Sequence, residues 1–198
     1  MTKKEQVSEL VKKCNGYLDI AEAQKLGISR AYLQEYIKTN EFERVAYGLY
    51  KSPDIWMDDL YVISLKNEKA VCSFETALML HGLTEREPTE IFVTVPRKYN
   101  ASHLRSKGIV VYQVKEEWAS IGRTVAKTTY GNEVSVYDME RTICDILRVK
   151  DKKDPQMFAY AIKEYAKSAN KNLPRLMKYA KEFGIEAELR QYMEVLLW

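Results

Sequence analysis

Apolar residues at helical spacing open the chain. Val7, Leu10 and Val11 recur between Lys3 and Lys13 with Lys and Glu on the other face, which predicts a helix that ends near Asn15-Gly16. Asp19 stands where a short second helix over 20–26 needs its cap, and Gly27 supplies the left-handed backbone that stops it. Ile28 turns inward. Ser29 caps a third helix over 30–39, in which Leu33, Tyr36 and Ile37 form the buried stripe, while Arg30, Tyr32, Gln34, Glu35 and Lys38 lie wholly or partly outside it. From Phe42 to Lys51 apolar and polar residues alternate around a tight Ala46-Tyr47-Gly48 turn, which predicts a β-hairpin.

Ser52-Pro53-Asp54 breaks this pattern and sets the expected domain boundary near residue 53, giving domains 1–53 and 54–198. Helices are predicted over 57–66 and 74–81. Strands follow over 90–95, 109–114, 123–129 and 133–136, and then four helices over 138–149, 155–169, 173–183 and 186–197. Strands grouped ahead of helices predict an α+β fold: an N-terminal winged helix-turn-helix, then a larger domain with a small β-sheet and C-terminal helices.

Composition is that of an ordinary globular chain, with 46% hydrophobic and 30% charged residues in 198. The longest apolar runs, Ile91 to Val95 and Ile109 to Tyr112, are strand-sized, far short of the roughly 20 residues that span a bilayer. Met1 to Gln6 lacks the apolar core of a signal peptide, so a cytoplasmic protein is expected. Cys14, Cys72 and Cys144 are odd in number and widely spaced, which points to free thiols. Lys and Arg outnumber Asp and Glu nine to seven over residues 1–52 and ten to seven over 150–198, whereas 53–149 holds twelve against fourteen, so both ends are mildly basic.

A helix, a Gly-containing turn and a second helix form a helix-turn-helix, whose second member enters the major groove. That member is residues 30–39 here, with the hairpin as its wing. Arg30 and Gln34 can each offer two hydrogen-bonding groups to a base edge, and Ser29, Arg44, Tyr47 and Lys51 can reach phosphate. The same pattern also suits a three-helix packing module or a protein-binding winged helix. In the C-terminal helices Lys163, Lys167 and Lys171 fall at successive spacings of four, joined by Arg175, Lys178 and Lys181, either as a solvated face or as auxiliary DNA contacts.

Catalytic signals are sparse. His81 and His103 have no Cys or second His at metal-ligand spacing, and no glycine pattern for a phosphate loop occurs, so neither a metal nor a cofactor is expected. Asp138, Glu140 and Asp145 could hold a divalent ion or share a proton. Helix geometry accounts for them more simply, with Asp138 as an N-cap, Glu140 in the first turn and Arg141–Asp145 as an i,i+4 pair. A non-enzyme is expected, with a C-terminal enzyme that modifies a nucleotide or a toxin as the alternative.

Two elements in this order are distinctive: Ser73, Thr76, Ala77, His81, Gly82 and Leu83 in the first, then Glu140, Arg141, Thr142 and Asp145 in the second, with Ile91 to Pro96 between them. By these elements and the N-terminal helix-turn-helix, the chain resembles the AbiEi antitoxins of abortive-infection type IV toxin–antitoxin systems over nearly its whole length. The resemblance implies a transcriptional autorepressor whose winged helix binds inverted repeats of double-stranded operator DNA in its own promoter. It also implies a C-terminal domain that counteracts a nucleotidyltransferase-like toxin without a stable complex, in phage defence or plasmid maintenance. Carried onto this chain, it assigns operator reading to Arg30, Tyr32, Gln34 and Lys38 with wing support from Arg44, Tyr47 and Lys51, by a monomer that loads two copies on paired half-sites.

Overall fold

The computed structural model describes residues 2–152 and 154–196. It divides into two compact units between Val62 and Ile63. This division falls later in the chain than the break at Ser52-Pro53-Asp54. The Asp58 amide donates to the Tyr17 hydroxyl at 3.0 Å and the Tyr61 ring meets Tyr17 edge-on at 5.2 Å, which ties residues 58–61 to the first unit.

In the first unit α1 (Lys3–Lys13) begins on a reciprocal cap: the Thr2 hydroxyl accepts from the Glu5 amide while the Glu5 carboxylate accepts from the Thr2 amide. β1 (Tyr17–Asp19), too short to leave a periodic signal, precedes α2 (Ile20–Lys25), whose cap is Asp19, accepting from the Ala21 amide at 2.8 Å. α3 (Arg30–Thr39) follows Gly27, whose φ of +79° provides the expected left-handed stop. β2 (Glu43–Ala46) and β3 (Leu49–Lys51) form the hairpin, and β1 joins its other edge to give an antiparallel sheet in the order β1-β3-β2. Val7, Leu18, Ala23, Ile28 and Leu33 make the core of this unit.

The second unit is built on a five-stranded mixed sheet. α4 (Asp59–Lys66), which spans the division, leads to β4 (Val71–Cys72), α5 (Phe74–Leu80), β5 (Phe92–Pro96), α6 (Ser102–Arg105), β6 (Val110–Val114), α7 (Glu116–Ala119), β7 (Arg123–Lys127) and β8 (Glu133–Tyr137). The order is β6-β5-β4-β8-β7; β5 runs parallel to β6 and β4 parallel to β8, and the other neighbours are antiparallel. Every residue of β5 is buried, because both faces are covered. Val93 and Val95 meet Ala101 and Leu104 on one side, while Phe92 joins the larger helical core on the other.

That larger core is laid down by α8 (Met139–Arg148), α9 (Pro155–Lys167), α10 (Leu173–Glu182) and α11 (Glu186–Leu196). Leu197, predicted to end the last helix, lies outside the described residues. α8 is the centre of the unit, with every residue from Glu140 to Leu147 buried. The fold class is thus α+β, as the grouping of strands ahead of helices implies. No helix among the described residues is long and apolar enough to cross a membrane.

Candidate nucleic-acid interface

α3 is anchored by one side only. Leu33 is fully buried, and Tyr32, Tyr36 and Ile37 are half-buried against the same core. Arg30, Gln34 and Lys38, at i, i+4 and i+8, share a row that flanks this buried stripe, and all three are exposed. Ser29 accepts from the Tyr32 amide at 3.4 Å, and its hydroxyl hydrogen remains for a phosphate oxygen. Tyr32 is partly buried against that core and only in part available to this face.

At the hairpin turn Gly48 has φ +68°, and Tyr47 beside it is 80% exposed. The Arg44 guanidinium lies 5.8 Å from the Tyr47 ring centroid and its Nε donates to the Ala46 carbonyl at 3.4 Å, so cation and ring occupy the tip together. Lys51 does not join them. Its ammonium is buried in an ion pair with Glu43 at 2.9 Å and donates to the Ile55 carbonyl at 3.2 Å, so the expectation of a phosphate contact is corrected. The cause is register: Lys51 faces Glu43 directly across the hairpin and Tyr17 on its other side. Trp56, 82% exposed in the following loop, stands between Ile55 and Met57, a run after Ser-Pro-Asp too short to carry a periodic signal.

In the second unit the six basic residues of α9 and α10 do not form one stripe. α9 ends at Lys167, so Lys171 falls beyond it, half-buried and donating to the Ser168 carbonyl at 3.3 Å. Lys167 pairs with Glu164 at 2.7 Å, and Arg175 Nη1 lies 3.7 Å from both Asp138 and Glu140. Lys163, Lys178 and Lys181 are exposed.

The three acids have enclosed roles. Asp138 caps α8 by accepting from the Arg141 amide at 2.8 Å, and its other oxygen accepts from the Tyr179 hydroxyl at 3.2 Å. Glu140 accepts from the Tyr165 hydroxyl at 3.0 Å and the Asn172 amide at 2.8 Å, which joins α8 to α9 and to the start of α10. Asp145 Oδ2 accepts from Arg141 Nε at 2.8 Å, with both side chains buried. Arg141 also donates from Nη1 to the Trp118 and Ile121 carbonyls at 2.7 and 3.1 Å, and its guanidinium lies 4.4 Å from each of the Tyr137 and Phe183 ring centroids. The i,i+4 pair was legible in the sequence; the aromatic rings around it, 4 and 42 positions away, were not.

Burial pushes the Asp138 carboxyl above the usual carboxylate range, against the opposing pull of the Arg141 amide, and raises the Tyr179 hydroxyl to about 12. An acid whose folded pKa is raised binds more protons folded than unfolded. Its contribution to stability therefore falls as pH rises from about 3.9 through the raised folded value. Asp138→Asn keeps a side chain that caps equally well. In urea unfolding measured across the acid range, this variant is expected to lose that downward contribution, so that its stability falls less with rising pH than the wild type's; parallel curves would reject the assignment.

The remaining signature residues also face the scaffold. His81 Nε2 lies 2.6 Å from the Tyr137 carbonyl and so carries the proton, the Ser73 hydroxyl accepts from Thr94 at 2.8 Å, and the Thr76 hydroxyl accepts from the Phe92 amide at 2.8 Å.

No family model matches the chain, and no curated protein matches it. Among solved structures it is similar to the crystal structure of the RV2827C protein from Mycobacterium tuberculosis, with a TM-score of 0.58 and 12% identity over 88% of this chain and 69% of that one. At that identity the likeness is one of fold.

Proposed function

We propose that the first unit is a winged helix-turn-helix that lays α3 in the major groove of operator DNA, and that the chain is an autorepressor and antitoxin of the AbiEi type. The observation that carries the DNA reading is the row made by Arg30, Gln34 and Lys38, exposed on a helix whose buried stripe is fixed by Leu33. Arg can pair with guanine O6 and N7 and Gln with adenine N6 and N7, while the cation and hydroxyl at the hairpin tip suit backbone oxygens. The order of elements, helix, strand, two helices and a hairpin whose sheet includes the first strand, is compatible with this reading.

Binding of a promoter duplex and of a scrambled duplex, followed by fluorescence anisotropy over a salt series, tests it. Arg30→Ala and Gln34→Ala are each expected to cost about 1–3 kcal/mol of preference for the promoter. Arg44→Ala should weaken both duplexes alike and make the log–log salt slope shallower by about 1. The same profile for Arg30→Ala and Arg44→Ala, or no preference for the promoter in the wild type, would overturn the reading.

The antitoxin part rests on the AbiEi resemblance. Its signature residues Ser73, Thr76, His81, Glu140, Arg141 and Asp145 serve the scaffold here, so the resemblance speaks for the architecture of the second unit. A neighbouring reading frame that is toxic when expressed alone and tolerated with this chain is the expected companion; a tolerated neighbour would remove this part and leave the DNA reading standing.

A further inference from the structure

The segment from Ile91 to Lys115 contains Arg97, Lys98, Arg105, Lys107 and Lys115 and not one Asp or Glu. The net charge of −2 over residues 53–149 conceals this run, because the acids lie on either side of it, at Glu90 and Glu116. In the fold all five cations are exposed. The two strand ends meet, since Pro96 and Val114 are partners in the parallel β5–β6 pair and the Arg97 amide donates to the Val114 carbonyl at 2.8 Å. Arg97 and Lys115 thus leave the same end of the sheet. α6 packs on β5 through Ala101 and Leu104, which turns Arg105 outward.

Gln113 braces the group. Its Nε2 donates to the Arg97 and Tyr99 carbonyls, both at 3.1 Å, while its Oε1 accepts from Arg105 Nη2 at 3.2 Å. Among the described residues none of the five cations forms an ion pair, in contrast to Lys167 and Arg175 on α9 and α10. The cations lie on ordered backbone with no acid of this segment to neutralise them, so the complementary ligand is a polyanion.

We propose that this surface binds the sugar-phosphate backbone of a nucleic-acid duplex without reading its sequence. Of the aromatic side chains beside the cations, Tyr99 is half-buried and donates its hydroxyl to Asn67 at 2.9 Å, while Trp118, whose ring centroid lies 5.1 Å from the Lys115 ammonium, packs edge-on against Phe183 in the helical core, so neither offers a free stacking platform for unpaired bases. Lysine and arginine without base-edge partners give position and affinity rather than specificity. The proposal does not depend on the reading of α3.

The test uses the full chain and a scrambled DNA duplex, with a duplex RNA of equal length and a single strand as parallel arms. Lys98→Gln/Lys107→Gln removes two charges whose side chains form no hydrogen bond or ion pair among the described residues, and adding Arg97→Gln and Lys115→Gln removes four. The log–log salt slope should become shallower by about 0.9 for each phosphate no longer neutralised, and low-salt affinity for the DNA duplex should fall at least tenfold in the fourfold variant. Lys4→Gln/Lys127→Gln, which removes as many charges as the double variant from exposed positions that neither reading uses, should leave the slope near the wild-type value.

Equal losses in both sets would reduce the effect to net charge and overturn the proposal, as would an unchanged slope at an unchanged thermal midpoint, or stronger binding of the single strand than of either duplex. Weaker binding of DNA alone, or of DNA and RNA alike, supports the surface and identifies the source of the backbone. The fourfold variant should keep the promoter preference that Arg30→Ala reduces, so the two readings fail separately.

Discussion

Arg141→Met is expected to lower the stability of the chain by about 3–5 kcal/mol, read as a lower urea midpoint at unchanged slope. The guanidinium is fully buried and satisfies several groups at once: the Asp145 carboxylate, the Trp118 and Ile121 carbonyls, and the two ring faces of Tyr137 and Phe183. Methionine fills much of the volume and supplies none of the donors. Asp145, itself only 2% exposed, would keep Arg148 as its cation at 3.5 Å, too distant to replace the missing bond. The cost is therefore that of a charge left uncompensated in the interior, which exceeds the worth of the pair itself.

This origin makes a second measurement decisive. Arg141→Met/Asp145→Leu removes the stranded carboxylate and should recover more than half of the stability; a double variant as unstable as the single one would show that Arg141 acts through packing alone. Arg141→Lys should not rescue, because a point charge on a flexible stem cannot bond in three directions while lying flat between two rings.

Gly122→Ala is expected to cost about 2–5 kcal/mol, the sum of left-handed backbone strain and overpacking. Gly122 has φ +74°, and a Cβ there would come within 2.6 Å of Arg141 Cβ and 3.0 Å of Asp138 Oδ1. Neither atom can retreat cheaply, since one begins the buried guanidinium stem and the other holds the α8 cap. Gly131→Ala is the control: φ is +82° there, but a Cβ would meet nothing within 4 Å, so only the conformational part remains. Thermal midpoints that fall equally in the two variants would refute the steric account.

The helices were the most legible part of the chain. α1 and α3 match their predicted spans, and α8 to α10 end within two residues of theirs, because each repeats an apolar stripe over ten or more positions and begins on an Asp, Ser, Thr or Asn cap. Apart from β3, read as an arm of the hairpin, the sheets were legible only where strands reach four or five residues. β1 and β4 have three and two residues, and α6 and α7 a single turn each, too short for any periodicity to show. The candidate DNA face was accessible for the same reason as the helices, since amphipathic spacing separates Arg30 and Gln34 from Leu33. Lys51 was misread because alternation along a hairpin does not tell which residue lies opposite it on the neighbouring strand. The acid-free run at 91–115 was concealed by counting charge over the whole stretch 53–149.

The outer edge of the larger sheet has a consequence for how copies of this chain meet. β7 pairs with β8 on one side only among the described residues, and Val125 at its middle is 58% exposed. A bare strand with an apolar centre invites a second molecule to extend the ribbon. Antiparallel docking about Val125 would set Arg123 against Lys127 at both ends, two like-charge clashes in every such encounter. Electrostatic repulsion thus weighs against fibrous self-stacking at the open rim.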